Sequence, residues 1–374
     1  MRILFIFPRY HTNQRGLIRK LKEEGHIVKF ISIGVGATEN YSEIKPTIIG
    51  LSFFGRYLDK LLNSDADVTK RNIKGFPKIR KLYIEIFNFR PEVIITRSLN
   101  STYFKLIIPL ILISKFKVLS YSQNPKYVKS LSFSKKFKHK LVEKFLRVKF
   151  YTSVKYRLED GLFDTLVDNK YLTFIPFFIY PKEIHYNKSN IKIVKFLSVG
   201  KFVEWKNHES VIDAFSIINN NKNYQLTIIG ECVKPEQEIY FEKLQSKINQ
   251  LGLSDSIKLI KNVPNNQMDS YYISNDVFIS FSLNEPASIS LLEAMSFGLP
   301  VICNVSNGSA HYVRNGYNGI LIPVDIQELA KAILFFLVNK NNILTMGNNS
   351  LKLINSYYNI EMCYNLLMKV ILEK

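Results

Sequence analysis

Apolar runs of strand length alternate along this chain with stretches that are apolar at every third or fourth position. RILFIF at 2–7 reads as a buried strand, 8–16 as a loop, and 17–24 as a helix with Leu17 and Leu21 on one face, closed by Gly25. A strand at 27–31 follows. Residues 34–75 read as irregular or helical, with no element placed. Beyond them the pattern predicts a helix at 79–87, a strand at 91–96, a helix at 101–113 and a strand at 117–121. Strands at 149–154 and 173–178 complete the series. A second series starts at 191: IVKFLSVG, a helix at 210–219, YQLTIIG, a helix at 237–252, SIKLI, a short helix at 267–273, a strand at 276–282, a helix at 288–297, strands at 301–305 and 319–322, and helices at 326–339 and 359–372. Such alternation predicts α/β architecture with two Rossmann-like domains facing each other across a cleft, at 1–180 and 190–355. A polar, Pro-containing linker covers 180–189, and the helix at 359–374 is free to pack back on the first domain. The loop after the first strand reads PRYHTNQRG, which excludes a Gly-x-Gly-x-x-Gly dinucleotide fingerprint.

The most informative stretch is DVFISFSLNEPASISLLEAMSFGLPVICNV, residues 276–305. It predicts strand, loop, helix and strand, with Pro286 in the first helical turn, Gly298 just past the helix end and Pro300 preventing continuation. Two carboxylates mark it, Glu285 in the loop and Glu293 on the helix. The loop follows the carboxyl end of a strand, where open α/β sheets bind ligands, and the helix N-terminus beside it suits a phosphate. From spacing alone, Glu293 as a solvated helix residue and Glu285 as an N-cap explain the pattern equally well.

Charge adds a partner class. The 374 residues carry a net charge of +20. Residues 1–180 hold 33 Lys and Arg against 14 Asp and Glu, whereas 181–374 are nearly balanced. A one-sided field points to a polyanion, nucleic acid or an anionic membrane face. Within 129–149, Phe133, Phe137, Leu141 and Phe145 recur every four residues among seven lysines and arginines between Lys135 and Lys149. That pattern is a basic amphipathic helix for a membrane surface, or a core-facing helix with a lysine-rich outer side. No recognised nucleic-acid module accompanies the charge, so no nucleic-acid partner is expected. The apolar run at 106–113 is too short to span a bilayer, and the opening run is too short for a signal sequence. Cys232, Cys303 and Cys363 have neither metal-ligand nor redox-motif spacing, which predicts a reducing compartment. Asp65 and Asp67 form an Asp-x-Asp that could hold a cation or simply be solvated.

From Ser198 to Phe336 the chain resembles the C-terminal domain of retaining family-4 glycosyltransferases of the GT-B fold. The resemblance rests on SVGKFVEWKNH, LTIIGE, IKLIKNVPNNQMDSYYISNDVFISFSLNEPASISLLEAMSFGLPVI and NGSAHYVRNGYNGILI, in that order. It implies a UDP- or GDP-sugar donor, no required cofactor and no metal. Lys201 and Lys206, on the loop after Gly200, would meet the donor diphosphate, with Lys201 where relatives usually have Arg. Backbone N–H groups near Ser288 and Ile289 would meet the phosphate, Glu293 the ribose, Glu285 the donor sugar and Val263 the base. Pro286, Ala287 and Ser288 stand where the family prefers Gly, and His311 where relatives often have Glu. The first domain lacks the family's usual His, and Gln123 is the best stand-in; His11 is a further loop histidine. Glu285, Lys206, Lys201 and Gln123 are therefore the expected catalytic set. The implied activity is sugar transfer with retention to a lipid-linked oligosaccharide in O-antigen or capsule assembly, at the cytoplasmic face of a bacterial membrane. A sugar-nucleotide epimerase of the same fold and an inactive sugar-binding relative are the other readings.

Overall fold

The computed structural model describes residues 1–36, 39–61, 76–97, 101–114, 116–123, 133–157, 166–167, 173–182, 191–218, 223–283 and 285–373. Asp65 and Asp67 lie outside them. The chain divides into two compact units: Met1–Ser153 with Asp168–Phe178 and Glu361–Lys374, and Val154–Val167 with Ile179–Ile360.

The first unit is built on a parallel sheet. Its strands are β1 (Arg2–Ile6), β2 (Ile27–Ser32), β3 (Thr47–Ile48), β4 (Val93–Arg97), β5 (Lys117–Ser122), β6 (Val148–Thr152) and β9 (Thr173–Phe174), in the order β3-β2-β1-β4-β5-β6-β9. The central strand β1 is a nearly unbroken apolar run because helices cover both faces of a parallel sheet; its Ile3, Leu4, Phe5 and Ile6 are fully buried. Helices α1 (Arg15–Glu23), α2 (Phe53–Leu61), α3 (Ile79–Phe89), α4 (Thr102–Ile113) and α5 (Phe133–Leu146) connect them. Ser101 caps α4 by accepting from Phe104 N–H at 3.2 Å. Two predictions needed revision here. The unassigned stretch 34–75 contributes α2 and β3, and the strand at 173–178 shrinks to two residues, since only Tyr151 and Thr152 face it as sheet partners.

The apolar stripe of α5 does not face the core. Phe137, Leu141 and Phe145 are exposed at 56%, 38% and 66%, while Val142 and Leu146 pack on the sheet core. The helix therefore meets the core through Val142 and Leu146, not through the four-residue repeat of Phe137, Leu141 and Phe145. No described helix is long and apolar enough to cross a membrane.

A short antiparallel pair, β7 (Tyr156–Arg157) with β8 (Leu166–Val167), belongs to the second unit. That unit's main sheet comprises β10 (Val194–Val199), β11 (Tyr224–Gly230), β12 (Ile257–Lys261), β13 (Val277–Ser280), β14 (Val301–Asn304) and β15 (Gly319–Ile322). All its neighbours are parallel and its order is β12-β11-β10-β13-β14-β15. Helices α6 (His208–Ile217), α7 (Pro235–Gln250), α8 (Met268–Ser274), α9 (Ile289–Ser296) and α10 (Ile326–Val338) follow the strands. Helix α11 (Asn341–Tyr357) escaped the sequence pattern because asparagines, poor helix formers, dilute it. Burial of Ile343, Met346, Leu353 and Ile354 overrides that preference.

The last helix, α12 (Ile360–Leu372), lies almost wholly in the first unit. Buried Lys20 of α1 donates to Glu24 at 2.7 Å and also to Glu361. His26 Nε2 lies 2.9 Å from the Tyr364 hydroxyl, and Lys117 Nζ donates to the Ile371 carbonyl at 2.7 Å.

Candidate active site

In the second sheet, connections from β10 run outward to β11 on one side, and the chain later returns to β13 on the other side. The carboxyl ends of β10 and β13 therefore flank the topological switch point, where loops diverge and leave a crevice. Gly200, Lys201 and Lys206 follow β10. Glu285, Ser288 and α9 follow β13. Val263 follows β12 at the sheet margin and is partly buried.

Lys206 Nζ donates to Glu285 Oε2. Both side chains are nearly buried, at 11% and 7% exposure. The ammonium also sits 4.7 Å from the centre of the Trp205 ring. Lys201 pairs with Glu231, which follows β11, at 2.6 Å. Glu293 Oε2 accepts from the Tyr272 hydroxyl of α8 at 2.8 Å. Burial, and then the charge of Glu293, hold the Tyr272 phenol well above its usual range. Tyr272 stacks on Phe297 with ring centres 5.2 Å apart. Lys201, Lys206, Glu285 and Glu293 thus each have a side-chain partner that spacing alone does not assign.

Helix α9 begins at Ile289, so Pro286 lies before the helix rather than in its first turn. Of the two N–H groups expected to face phosphate, that of Ser288 is engaged by Ser309 Oγ at 2.7 Å. Those of Ile289 and Ser290 open the helix, where N–H groups have no partner within it. The Glu285–Ser288 loop is held from the segment after β14. Gly308 N–H donates to the Glu285 carbonyl at 2.7 Å, and Ser309 Oγ donates back to the Ser288 carbonyl at 3.1 Å. Asn307 and Asn304 reach Ser280 Oγ and the Ser282 carbonyl at 2.8 and 2.9 Å. A Cβ at position 308 would come within 2.0 Å of the Pro286 carbonyl oxygen. Only glycine permits that approach. His311 is buried, its Nδ1 3.0 Å from the Gly308 carbonyl.

His208 anchors the other wall. Its Nε2 lies 3.3 Å from both the Gly200 and Lys201 carbonyls. Burial, with Lys206 nearby, lowers its pKa to about 4. The neutral ring donates from Nε2 and fixes the backbone that carries Lys201. His208, Glu231, Tyr272 and Ser309, which contact the candidate residues or their backbone, were not singled out from the sequence, although each lies in or beside a segment that carries the resemblance.

The first unit has its own switch point between β1 and β4. Arg9 and His11 follow β1, Arg97 ends β4 and Gln123 follows β5. Gln123 Nε2 donates to the Tyr121 hydroxyl at 2.9 Å. Glu39 binds Arg9 and His11 at 3.2 and 3.4 Å. Burial opposes its charge, but His11, Thr12 and Arg9 hold its pKa down to about 2. Burial lowers the pKa of His11. The buried Tyr10 hydroxyl, Asn13 Oδ1 and Gln14 Oε1 lack a hydrogen-bond partner among the described residues.

Residues 182–353 match the family model described as Glycosyl transferases group 1. This group 1 match contains every crevice residue described above. Over 137 residues the chain is 23% identical to the mannosylfructose-phosphate synthase of Agrobacterium fabrum, covering 36% of this chain and 30% of that protein. The chain spans less than half the length of the first curated relatives it matches. A glycosyltransferase structure from Rickettsia africae superposes over 100% of this chain and 99% of its own, with a TM-score of 0.73 at 15% identity. HepE of Anabaena, in complex with UDP-glucose, gives 0.67 at 16% identity, with 99% of both chains covered. WaaG, a glycosyltransferase involved in lipopolysaccharide biosynthesis, gives 0.65 at 14% identity over the whole of both chains. These likenesses show the fold, which is GT-B.

Proposed function

We propose that this chain is a retaining, metal-independent glycosyltransferase that moves a hexose from a UDP- or GDP-sugar to a lipid-linked oligosaccharide in O-antigen or capsule assembly, at the cytoplasmic face of a bacterial membrane. The observation that carries the reading is the convergence of Lys201 and Lys206 with Glu285 and Glu293 at one switch point. Two cations beside a helix N-terminus suit a diphosphate, and two carboxylates suit sugar hydroxyls. The group 1 match over the same residues supports the donor class, as does the UDP-glucose bound to HepE.

In this reading the bond from the anomeric carbon to the β-phosphate oxygen breaks with its electron pair going to the diphosphate. The acceptor oxygen bonds to the same face of the sugar, and its proton passes to the departing phosphate. Lys201 and Lys206 stabilise the charge that develops on the diphosphate, which they favour over the ground state. Lys206 exchanges Glu285 for phosphate, which frees Glu285 for the sugar hydroxyls. Glu293 binds the ribose and Val263 lies near the base, while Gln123, beside the switch point of the first unit, is the candidate there for a sugar hydroxyl.

The lipid-linked acceptor is supported by WaaG's part in lipopolysaccharide biosynthesis. The basic first half and the outward stripe of Phe137, Leu141 and Phe145 support an anionic membrane partner. A panel of UDP- and GDP-sugars, assayed for slow hydrolysis by the purified protein with the anomer read by NMR, tests the donor and the stereochemistry. Release of the retained anomer from one donor is expected. Accumulation of an epimerised sugar nucleotide, or no turnover of any donor, overturns the reading.

A further inference from the structure

The first unit has a pocket at the amino edge of its sheet, the edge opposite Gln123 and His11. Its volume is about 560 Å³, within the range of ligand-binding sites. The starts of β1, β4 and β5 and the carboxyl ends of α3, α4 and α12 enclose it. Val93, Leu110 and Ile371 form buried parts of its wall. Its mouth is apolar as well: Phe87, Ile113 and Leu372 line it yet are exposed at 58%, 78% and 60%. Leu112 and Phe145 extend the exposed apolar surface along the same edge, at 63% and 66%. Large side chains gathered in this way mark an interaction site rather than ordinary surface.

Cations ring the apolar mouth. Arg2, Arg90 and Lys117 line the pocket, and Arg147 precedes β6 on the same edge. The rim carboxylate of Glu92 is engaged by the backbone N–H of Arg2 at 2.7 Å. Arg90 and Arg147 end α3 and α5 with φ of 51° and 50°. Glycine normally holds that left-handed position, so both sites carry a charge where the backbone favours no side chain.

We infer that this edge docks on anionic lipid: the pocket takes one acyl chain of an anionic phospholipid, Phe87, Ile113 and Leu372 enter the acyl layer, and Arg90 and Arg147 meet the headgroups. The inference rests on the membrane-facing role proposed above and centres the contact on the amino edge, where Phe145, the last member of the α5 stripe, also lies. The carboxyl edge, with Gln123 and His11, stays open to substrate.

Sedimentation with phosphatidylglycerol and phosphatidylcholine vesicles tests it. The wild-type chain should bind the anionic vesicles more tightly. Arg90→Gly with Arg147→Gly suits the left-handed backbone and retains the fold, but should lower binding by roughly fivefold per arginine. Ile113→Asp with Leu372→Asp, at exposed positions, should lower binding to a similar degree. In an Ile113→Trp variant, lipids brominated on the acyl chain should quench the new fluorescence. If these edge variants bind like wild type while Phe137→Asp with Leu141→Asp abolishes binding, the amino-edge inference falls and the membrane reading stands. If wild type binds neither vesicle, both fall, and donor hydrolysis still judges the glycosyl-transfer reading separately.

Discussion

Lys206 and Glu285, 79 residues apart in the chain, form a nearly buried ion pair across the switch point of the second sheet. Lys206→Ala leaves Glu285 as an uncompensated buried charge. We expect a loss of about 3–5 kcal/mol in urea melts, and a fall of at least about 10²-fold in donor kcat/KM. Unchanged turnover would remove Lys206 from the site. A double-mutant cycle with Glu285→Gln should show strong coupling.

Lys201 and Glu231 form a more exposed pair, so its stability contribution is at most about 1 kcal/mol. Glu231→Gln should barely move the melting midpoint. It should lower donor KM severalfold, because the carboxylate no longer competes with diphosphate for Lys201. A raised KM would show that Glu231 positions Lys201 rather than restraining it.

Tyr272→Phe removes the hydroxyl that holds Glu293. The stacked ring remains, so the fold should lose only about 1–2 kcal/mol. Donor KM should rise about tenfold with kcat retained, since the ribose is remote from the bond that breaks. Equal losses in kcat and kcat/KM would instead place Glu293 at the reacting centre.

Gly308→Ala drives a methyl group against the Pro286 carbonyl. Either the loop from Glu285 to Ser288 shifts or the strain stays, at a cost of about 1–3 kcal/mol. Thermal melts should show the loss and donor KM should rise. Ser309→Ala, which removes two hydrogen bonds to the same loop, should mimic the effect on KM.

His208 titrates at about 4 in the folded chain, below its ordinary value of 6.5. Between those values the unfolded chain binds the extra proton. Stability therefore falls as pH drops from about 6.5 to about 4, by up to about 3 kcal/mol. In urea melts across this range, His208→Asn should be less stable at pH 7 but show a shallower pH slope. An unchanged slope would assign the dependence to other groups.

Much of the architecture was legible because a parallel sheet covered on both faces writes itself as apolar runs. β1, β10, β11 and β13 were found to within a residue or two on that signal. Helix α9 and its Gly298 stop, with φ of 71°, were legible from spacing and backbone preference. Helix α11 and the short β3 were not, because long-range burial and pairing decide them against weak local preference.

The sequence by itself determined the strongly patterned strands and helices of both sheets, and it placed Lys201, Lys206, Glu285 and Glu293 on loops or helices after strands, because periodicity and capping are local properties. Only the tertiary structure decided that Lys206 meets Glu285, Lys201 meets Glu231 and Glu293 meets Tyr272. Those pairs depend on the order of strands in the sheet. It also turned Phe137, Leu141 and Phe145 outward. An amphipathic pattern fixes that a helix has an apolar side, while packing on its neighbours fixes which way that side points.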